Sequence, residues 1–184
     1  MSEGADRTGS DADSAPTRVA VTGTPGTGKS TATDLLADDY DVIHLNDLIK
    51  GDDALWTERD ADRDTLVADL DAVRERLGDW AGVLDSHLAH RFAVDRVIVL
   101  RCRPETVEAR LRERGESGET AEENAESEAL DVVLSEAVAE HGAENVYEID
   151  TTDRDPAAVA DAIRAAIEGD REPSAGTVDF IDYI

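Results

Sequence analysis

The stretch "VTGTPGTGKSTATDLL", from Val21 to Leu36, decides the fold. Its residues match the pattern G-x-x-x-x-G-K-[ST] at Gly23, Gly28, Lys29 and Ser30. The β-branched run "TRVAVTG" comes directly before it, and a sequence typical of a helix follows. Glycines let backbone N–H groups curl around phosphate oxygens without interference from Cβ atoms. The stretch therefore predicts a phosphate-binding loop between a buried strand and a helix.

Each polar residue of such a loop has an expected task. Lys29 reaches the β- and γ-phosphates of a nucleoside triphosphate, and the Ser30 hydroxyl holds Mg²⁺. Thr31 is placed to bond the α-phosphate. The alternative is a glycine-rich turn with an incidental lysine, and the strand–loop–helix context argues against it.

Five apolar runs predict strands. They are "TRVAVTG", "YDVIHL", "AGVLD", "DRVIVLRC" and "NVYEID". Helical patterns occupy residues 30–37, 46–50, 64–77, a segment from Pro104, 120–141 and 156–168, while residues 52–62 are polar and predicted to form a loop. Strands that alternate with helices predict an α/β fold of three layers, a parallel sheet with helices on both faces.

The chain is expected to form one domain with two appendages. Residues 1–16 are rich in acidic and small residues, and this composition predicts a disordered arm. Residues 17–168 are expected to form the domain, and residues 169–184 a tail. The tail ends in the apolar sequence "VDFIDYI". It is interpreted as a strap docked on the domain, with a partner-binding peptide as the alternative.

The charge of the chain is strongly negative and evenly spread. There are 44 acidic against 18 basic residues, a net charge of -26, and Lys29 and Lys50 are the only lysines. Such a surface is typical of adaptation to molar salt, where the Debye length shrinks to ~3 Å. A partly disordered acidic protein is the alternative, and the well-formed apolar strands argue against it.

The composition of the chain also argues against several classes of protein and of metal site. No run approaches the ~18 apolar residues of a membrane span, and the absence of a basic stripe disfavours direct binding to DNA or RNA. The single cysteine, Cys102, excludes a disulfide framework and a zinc site with several cysteines, and is interpreted as a core residue. These features indicate a cytoplasmic protein, in a cytoplasm of high salt.

Two further patterns suggest catalytic groups. Asp85 ends the third strand in "VLDSH", where an aspartate beside the loop would support Mg²⁺ through water, unless it only caps a helix. His87 could orient a water or a substrate phosphate, or be structural. Arg110 and Arg114 lie four residues apart before a glycine break, and would either close over a triphosphate or pair with nearby glutamates on a solvated helix.

The order of these motifs resembles one family. "TGTPGTGKST", "HLNDL", "RDTLVADL", "LDSH", "VIVLR", "RLRERG" and "ENAESEALDVVLSEA" together resemble adenylate kinase isoenzyme 6, also called coilin-interacting nuclear ATPase, and its archaeal adenylate kinase relatives. The resemblance covers about residues 18–167. The loop is shared by many NTPases, whereas D-x-H, R-L-x-x-R-G and E-N-x-x-S/A-E in this order are more specific.

The resemblance implies a nucleoside monophosphate kinase fold with strand order 2-3-1-4-5. It implies an insert near residues 45–67 that binds the monophosphate and a short lid near residues 113–123. The family transfers phosphate between ATP and AMP-like acceptors, hydrolyses ATP and assists late maturation of the small ribosomal subunit through ribosomal protein uS11. It is usually monomeric.

Site residues follow from the same resemblance. ATP would be bound by Gly26, Gly28, Lys29, Ser30, Thr31, Arg114 and, on the adenine side, Arg154. The catalytic set would be Lys29, Asp85, His87 and Arg114, and Mg²⁺ would be held by Ser30 and Asp85. Candidates for the monophosphate are Asp47, Arg59, Arg63 and Arg91.

Three functions are compatible with these residues. The first is a kinase that makes two ADP from ATP and AMP, or acts on another monophosphate. The second is an ATP-driven assembly factor that binds uS11 or the immature small subunit. The third is a small-metabolite kinase on the same fold, for which no specific acceptor pocket is identified.

Overall fold

Seven strands and seven helices make up most of the computed structural model, which describes residues 17–60 and 65–184. The strands are β1 (Arg18–Thr22), β2 (Val42–His44), β3 (Trp56–Asp60), β4 (Thr65–Ala68), β5 (Gly82–Asp85), β6 (Arg96–Arg101) and β7 (Val146–Asp150). The helices are α1 (Lys29–Asp34), α2 (Leu45–Gly51), α3 (Leu70–Leu77), α4 (Pro104–Glu113), α5 (Gly118–Ala129), α6 (Val132–His141) and α7 (Pro156–Glu168). The predicted α/β class is confirmed. The predicted acidic arm, residues 1–16, lies outside the described residues.

Five strands form a parallel sheet in the order β2-β5-β1-β6-β7. The labels differ from the expected 2-3-1-4-5 because two further strands, β3 and β4, stand between the second and third strands of this sheet along the chain. Counted within the sheet alone, the strands follow the expected order. The five apolar runs are therefore the five strands of the sheet.

The segment between α2 and α3 differs from the prediction. Residues 52–62 were expected to form a loop and residues 64–77 one helix, whereas β3 and β4 pair as an antiparallel hairpin and α3 begins only at Leu70. The Asp69 side chain accepts hydrogen bonds from the backbone N–H groups of Asp71 and Ala72 and so caps α3. This cap starts the helix after Ala68, which leaves residues 65–68 extended.

A second difference lies in the helix expected over residues 120–141. It is two helices, α5 and α6, separated at Asp131, whose φ of 56° is left-handed. The Asp131 carboxylate accepts a hydrogen bond from Arg101 Nη2 at 2.5 Å. The helix break and the long-range ion pair therefore occur at the same residue, which connects the α5–α6 junction to the end of β6.

The core has two halves, one on each face of the sheet. Alternate residues of β1 point to opposite faces, so Val19 and Val21 pack toward α1 and α7, while Ala20 packs toward α2, α3 and α6. Cys102 lies in a third, small cluster with Val107, Leu111 and Ala121, and is fully buried as predicted. The sheet is thus the middle of three layers.

The tail runs along β7. Ser174 N–H donates to the Val146 carbonyl at 3.0 Å, and Thr177 and Val178 donate to the buried Glu148 carboxylate. The Phe180 ring lies over the Arg101 guanidinium, at 5.5 Å. The interpretation of the tail as a docked strap agrees with these contacts. None of the helices in residues 17–60 and 65–184 combines the length and the apolar character that crossing a membrane requires.

Candidate active site

The polar residues singled out in the sequence gather at the carboxyl edge of the parallel sheet. The glycine loop follows β1, Asp85 ends β5, and His44 ends β2 directly beside Asp85 in the strand register. Ligands of open α/β sheets bind at this edge. The topology therefore assembles a site from segments that are far apart in the sequence.

The loop depends on glycine for steric reasons. Gly23 has a φ of 140°, and a Cβ atom added there would lie 2.4 Å from the Leu100 carbonyl oxygen. Gly28 precedes α1 with a left-handed φ of 92°. Because a side chain is rarely tolerated in either conformation, these residues give the loop its curled backbone.

The Lys29 side chain lies inside the loop. It is 8% exposed, and its ammonium donates to the carbonyl oxygens of Gly23 at 2.8 Å and Thr24 at 3.0 Å. Burial lowers the pKa of Lys29 to about 8, against the opposing effect of the Asp85 and Glu128 carboxylates. The lysine is therefore still largely protonated at pH 7 and can present a positive charge to a phosphate.

Two neighbouring clefts open beside the loop and share Gly28, Thr31 and Arg114. The first is lined on its far side by Arg110, Thr151, Arg154, Pro156 and Val159, among others. The second is lined by Lys29, Ser30, Asn46 and His87, together with Pro25 and Gly26. The two clefts thus form an extended site with Arg114 at their junction.

Asp85 is buried at the end of β5, the strand next to β1 in the sheet. Its side chain is 3% exposed, and Oδ2 contacts His44 Nδ1 at 2.8 Å. Oδ1 is buried and has no hydrogen-bond partner in the structure. An orphaned buried carboxylate oxygen is costly, and it points to a group that this oxygen meets when the site is filled.

The donor set fits Mg²⁺. Ser30 contributes a hydroxyl to the second cleft, and Asp85 Oδ1 is the unpaired oxygen close to the loop. Within residues 17–60 and 65–184, no cluster of three or more His, Cys, Asp or Glu side chains forms a metal cage. Mg²⁺ bound with phosphates uses few protein ligands and keeps several waters, so a cage is not expected.

His87 lines the second cleft, as its proposed role requires. Burial lowers the pKa of His87 to about 4, and the nearby positive charges of Lys29, His90 and Arg91 act in the same direction. The imidazole is therefore neutral at pH 7, and one ring nitrogen can accept a hydrogen bond from a water or a substrate hydroxyl.

Arg110 on α4 and Arg114 at its C-terminal cap were expected either to close over a triphosphate or to pair with nearby glutamates on a solvated helix. Arg110 Nη1 donates to the Gly26 carbonyl at 3.1 Å, and both Arg110 and Arg114 line the first cleft. Arg112 forms the i,i+4 ion pair with Glu108 at 2.5 Å that is typical of a solvated helix. Arg154, the candidate for the adenine side, also lines the first cleft.

The candidates for the monophosphate are not brought together. Arg91 donates to Glu136 on α6 at 2.9 Å, Asp47 is exposed in the first turn of α2, and Arg59 is exposed on β3. These three side chains do not line either cleft. Arg63 lies outside the described residues.

Two residues of the site were missed in the sequence. His44 contacts Asp85 through Nδ1 and Asp34 on α1 through Nε2, at 3.0 Å. Asn46 lines the second cleft, and its Oδ1 accepts from the Ser86 hydroxyl at 3.1 Å. His44 is the last residue of the strand "VIH" and Asn46 lies two residues after it, so their place at the carboxyl end of a parallel strand was the available signal.

Comparisons with known proteins show the family and the fold of the chain. The model of a family described as "AAA domain" matches residues 19–131. Among solved structures, a deoxyadenosine kinase from M. mycoides with bound dATP covers 82% of this chain and 99% of its own, with a TM-score of 0.52 and 14% identity. A gluconokinase from Sinorhizobium meliloti covers 84% and 91%, with a TM-score of 0.52 and 17% identity. At these identities the similarity shows the fold alone.

Curated relatives are much more similar in sequence. A protein of Natronomonas pharaonis named "Putative adenylate kinase" is 60% identical over 168 residues, 91% of this chain and 99% of the relative. A protein of the same name from Halobacterium salinarum is 60% identical over 169 residues, 91% of this chain and 99% of the relative. One from Pyrococcus abyssi is 41% identical over 167 residues, 88% of this chain and 90% of the relative. The chain therefore belongs to the archaeal adenylate kinase family that these relatives represent, built on a P-loop domain.

Proposed function

We propose that this protein is an adenylate kinase that transfers the γ-phosphoryl group of ATP to AMP or a similar nucleoside monophosphate, giving two diphosphates. The observation that carries the proposal is the pair of clefts joined at Arg114, with the glycine loop between them. One cleft is suited to the nucleoside part of ATP, and the other surrounds Lys29 and His87, where the transferred group would lie.

The binding of ATP follows from the residues of the first cleft. The base and ribose would lie between Arg154 and Thr151, and the phosphates would run along Gly26, Gly28 and Thr31 toward Lys29. Backbone N–H groups of the loop would hold the phosphate oxygens. Arg110, which already contacts the loop, would add positive charge beside them.

The transfer step would be catalysed by position and charge, without a covalent intermediate. The Lys29 ammonium would exchange the Gly23 and Thr24 carbonyls for phosphate oxygens, and Arg114 would neutralise the charge that develops at the junction of the clefts. Neutral His87 would donate its ring N–H to the phosphate oxygen of AMP that attacks the γ-phosphoryl group. Mg²⁺, held by Ser30 and through water by Asp85, would neutralise phosphate charge.

The acceptor would be positioned from the side of α2. Asn46 and His87 face the second cleft, and Asp47 lies one residue farther along the same helix. Arg59 and Arg91 remain candidates for the acceptor phosphate only if the hairpin and the α6 ion pair rearrange when AMP binds, and Arg63, outside the described residues, stays a candidate from the family resemblance. We therefore rank Asn46 and His87 above Arg59 and Arg91.

We also infer ATP hydrolysis as a second activity. Among the described residues that line the second cleft, the cations are Lys29 and Arg114, and both would face the phosphates of ATP. A water could then replace the acceptor beside His87. The proposed role in maturation of the small ribosomal subunit, as a monomer that binds uS11, follows from the family resemblance and would use this hydrolysis.

Product analysis in molar KCl tests these proposals. Wild-type protein is incubated with Mg²⁺ and ATP, with and without AMP, and the nucleotides are separated. Two ADP formed for each AMP consumed supports the kinase. ATP turnover at the same rate with and without AMP supports the assembly ATPase. ATP turnover that requires a sugar acid, added in place of AMP, would support a small-metabolite kinase. Absence of turnover under all conditions contradicts the enzymatic proposal.

A separate proposal concerns salt. We infer that the chain works in a cytoplasm of high salt, because its net charge of -26 would cause strong self-repulsion at low ionic strength. The relatives with 60% identity come from haloarchaea. Thermal unfolding between 0.1 and 3 M KCl should give a midpoint that rises with salt, and a flat or falling midpoint would contradict the inference.

A further inference from the structure

Glu128 is a glutamate of the sequence motifs that takes no part in the proposed transfer of phosphate. Glu128 ends the pattern E-N-x-x-S-E that begins at Glu123, and lies on α5, remote from the clefts in sequence. Its side chain is 2% exposed. A buried carboxylate is retained at a substantial desolvation cost, so the contacts that compensate for it indicate what it does.

The two oxygens of Glu128 contact different parts of the molecule. Oε1 accepts from Arg101 Nε at 2.7 Å and from the Cys102 backbone N–H at 3.1 Å. Oε2 accepts from the Thr24 hydroxyl at 2.5 Å. The carboxylate therefore bridges the end of β6 and the second residue of the glycine loop.

The β6 end of this bridge is itself held in place. The Arg101 guanidinium is 1% exposed and also pairs with Glu148 and with Asp131. Donors from the tail, Thr177 and Val178, satisfy the other oxygen of Glu148. Because Arg101 is constrained on three sides, Glu128 Oε1 is anchored and the carboxylate has little freedom to turn.

The loop end of the bridge leads to the catalytic lysine. The Thr24 carbonyl accepts hydrogen bonds from Lys29 Nζ at 3.0 Å and from the Thr27 hydroxyl at 2.9 Å. The side chain of Thr24 is held by Glu128, and its main chain orients Lys29. Displacement of the Thr24 hydroxyl would therefore change the backbone that positions the ammonium group.

We propose that Glu128 is a positioning residue for the phosphate-binding loop, which acts through the Thr24 hydroxyl to hold the loop and Lys29 in the conformation that accepts ATP. This inference rests on the proposed function, because it assumes that the loop binds the phosphates of ATP. It assigns a task to the E-N-x-x-S-E pattern. It also makes α5, the helix that starts within the expected lid, a direct neighbour of the loop.

The test uses two variants of Thr24 and one of Glu128. Thr24→Val keeps the shape of the side chain and removes the hydroxyl, whereas Thr24→Ser keeps the hydroxyl. We expect Thr24→Val to raise the dissociation constant of Mg²⁺–ATP about tenfold, since the buried carboxylate loses its donor, and Thr24→Ser to stay within about twofold of wild type. Isothermal titration calorimetry in molar KCl gives the constants.

Glu128→Gln supplies the second arm. Alone it should weaken ATP binding by a similar factor, and the double variant Thr24→Val/Glu128→Gln should be no weaker than the worse of the two single variants, because both break one contact. Glu126→Gln is the matched control: it makes the same substitution at an exposed position of α5, outside the Arg101 cluster. It should leave ATP affinity within about twofold of wild type.

The outcomes separate positioning from a merely structural role. If Thr24→Val binds ATP as tightly as Thr24→Ser, or if the Thr24 and Glu128 effects multiply in the double variant, the inference is wrong while the proposed function stands. If Glu128→Gln does not fold, the comparison of the two Thr24 variants still decides. A wild-type protein that binds no nucleotide overturns both the inference and the proposed function.

Discussion

The two sides of the site are built differently. The donor side, formed by the glycine loop and the first cleft, has buried side chains at the end of a central strand and at the start of α1; Asp85 is 3% exposed and Lys29 is 8% exposed. The acceptor side, formed by α2 and the β3–β4 hairpin, carries its candidate arginine, Arg59, exposed on the hairpin. Under the proposed function, buried groups would therefore surround the phosphates of ATP, whereas the arginine expected to meet AMP lies at the surface.

This difference predicts how sensitive each side is to substitution. A buried group that already has its hydrogen bonds positioned is expected to contribute strongly to the transition state. An exposed group pays conformational entropy to reach the substrate and is screened by solvent and salt. We therefore expect large effects on the donor side and small effects at the exposed or paired residues of the acceptor side.

The largest effect is expected at the loop lysine. Lys29→Ala should lower kcat/KM for ATP by about 10³-fold, because the substitution removes the buried positive charge beside the transferred group. Lys50→Ala is the matched control, since the other lysine of the chain is exposed in the last turn of α2. Equal activities of the two variants would contradict the assignment of the loop.

Arg114 should follow. Arg114→Ala is expected to lower kcat/KM by about 10²-fold, since this side chain lines both clefts at their junction. Arg112→Ala, on the same helix but paired with Glu108, should stay within about twofold of wild type. Steady-state kinetics of the two variants compare them directly, and a larger loss in Arg112→Ala would reverse the assignment.

His44 lies at the boundary of the two sides and should give an intermediate effect. His44→Ala is expected to lower kcat/KM by about 10- to 100-fold, because Asp85 loses the contact that orients it. The affinity of Mn²⁺ for the ATP complex, measured by electron paramagnetic resonance, should fall as well.

The control for His44 is its other partner. Asp34 is 66% exposed, so Asp34→Asn should change activity less than threefold. If Asp34→Asn is as damaging as His44→Ala, the histidine acts through α1 and not through Asp85.

The smallest effect is expected on the acceptor side. Arg91→Ala should change KM for AMP less than threefold, because Arg91 is half exposed and pairs with Glu136 outside the clefts. Measurement of KM at saturating ATP checks this. A tenfold increase would mean that Arg91 leaves Glu136 when AMP binds and belongs to the acceptor site after all.

The same division explains what the sequence could predict. The loop, its strand and the helix after it are local, so the spacing of Gly23, Gly28 and Lys29 was sufficient. The five sheet strands are apolar runs, and the helix over residues 156–168 is bounded by a capping Asp155 and a terminal Gly169. In these segments local pattern and tertiary structure favour the same conformation.

Other features depend on contacts between distant segments. Arg101 meets Glu128, Asp131 and Glu148, which lie 27, 30 and 47 residues farther along the chain, so neither this cluster nor the helix break at Asp131 is visible in a local pattern. The β3–β4 hairpin was missed because "WTERD" is polar and lacks the apolar alternation of a typical strand. The contact of His44 with Asp85 depends on the register of β2 on β5.

The docked tail has a consequence for how molecules of this protein meet each other. β7 borders the sheet, and a border strand with free N–H and C=O groups is a template for strands of another molecule. Ser174 and its neighbours occupy part of that border. Molar salt removes the charge repulsion between acidic surfaces, so a chain shortened before Ser174 is expected to self-associate more as salt rises. We therefore expect the tail, as well as the negative charge, to keep molecules of the full chain from self-associating in concentrated salt.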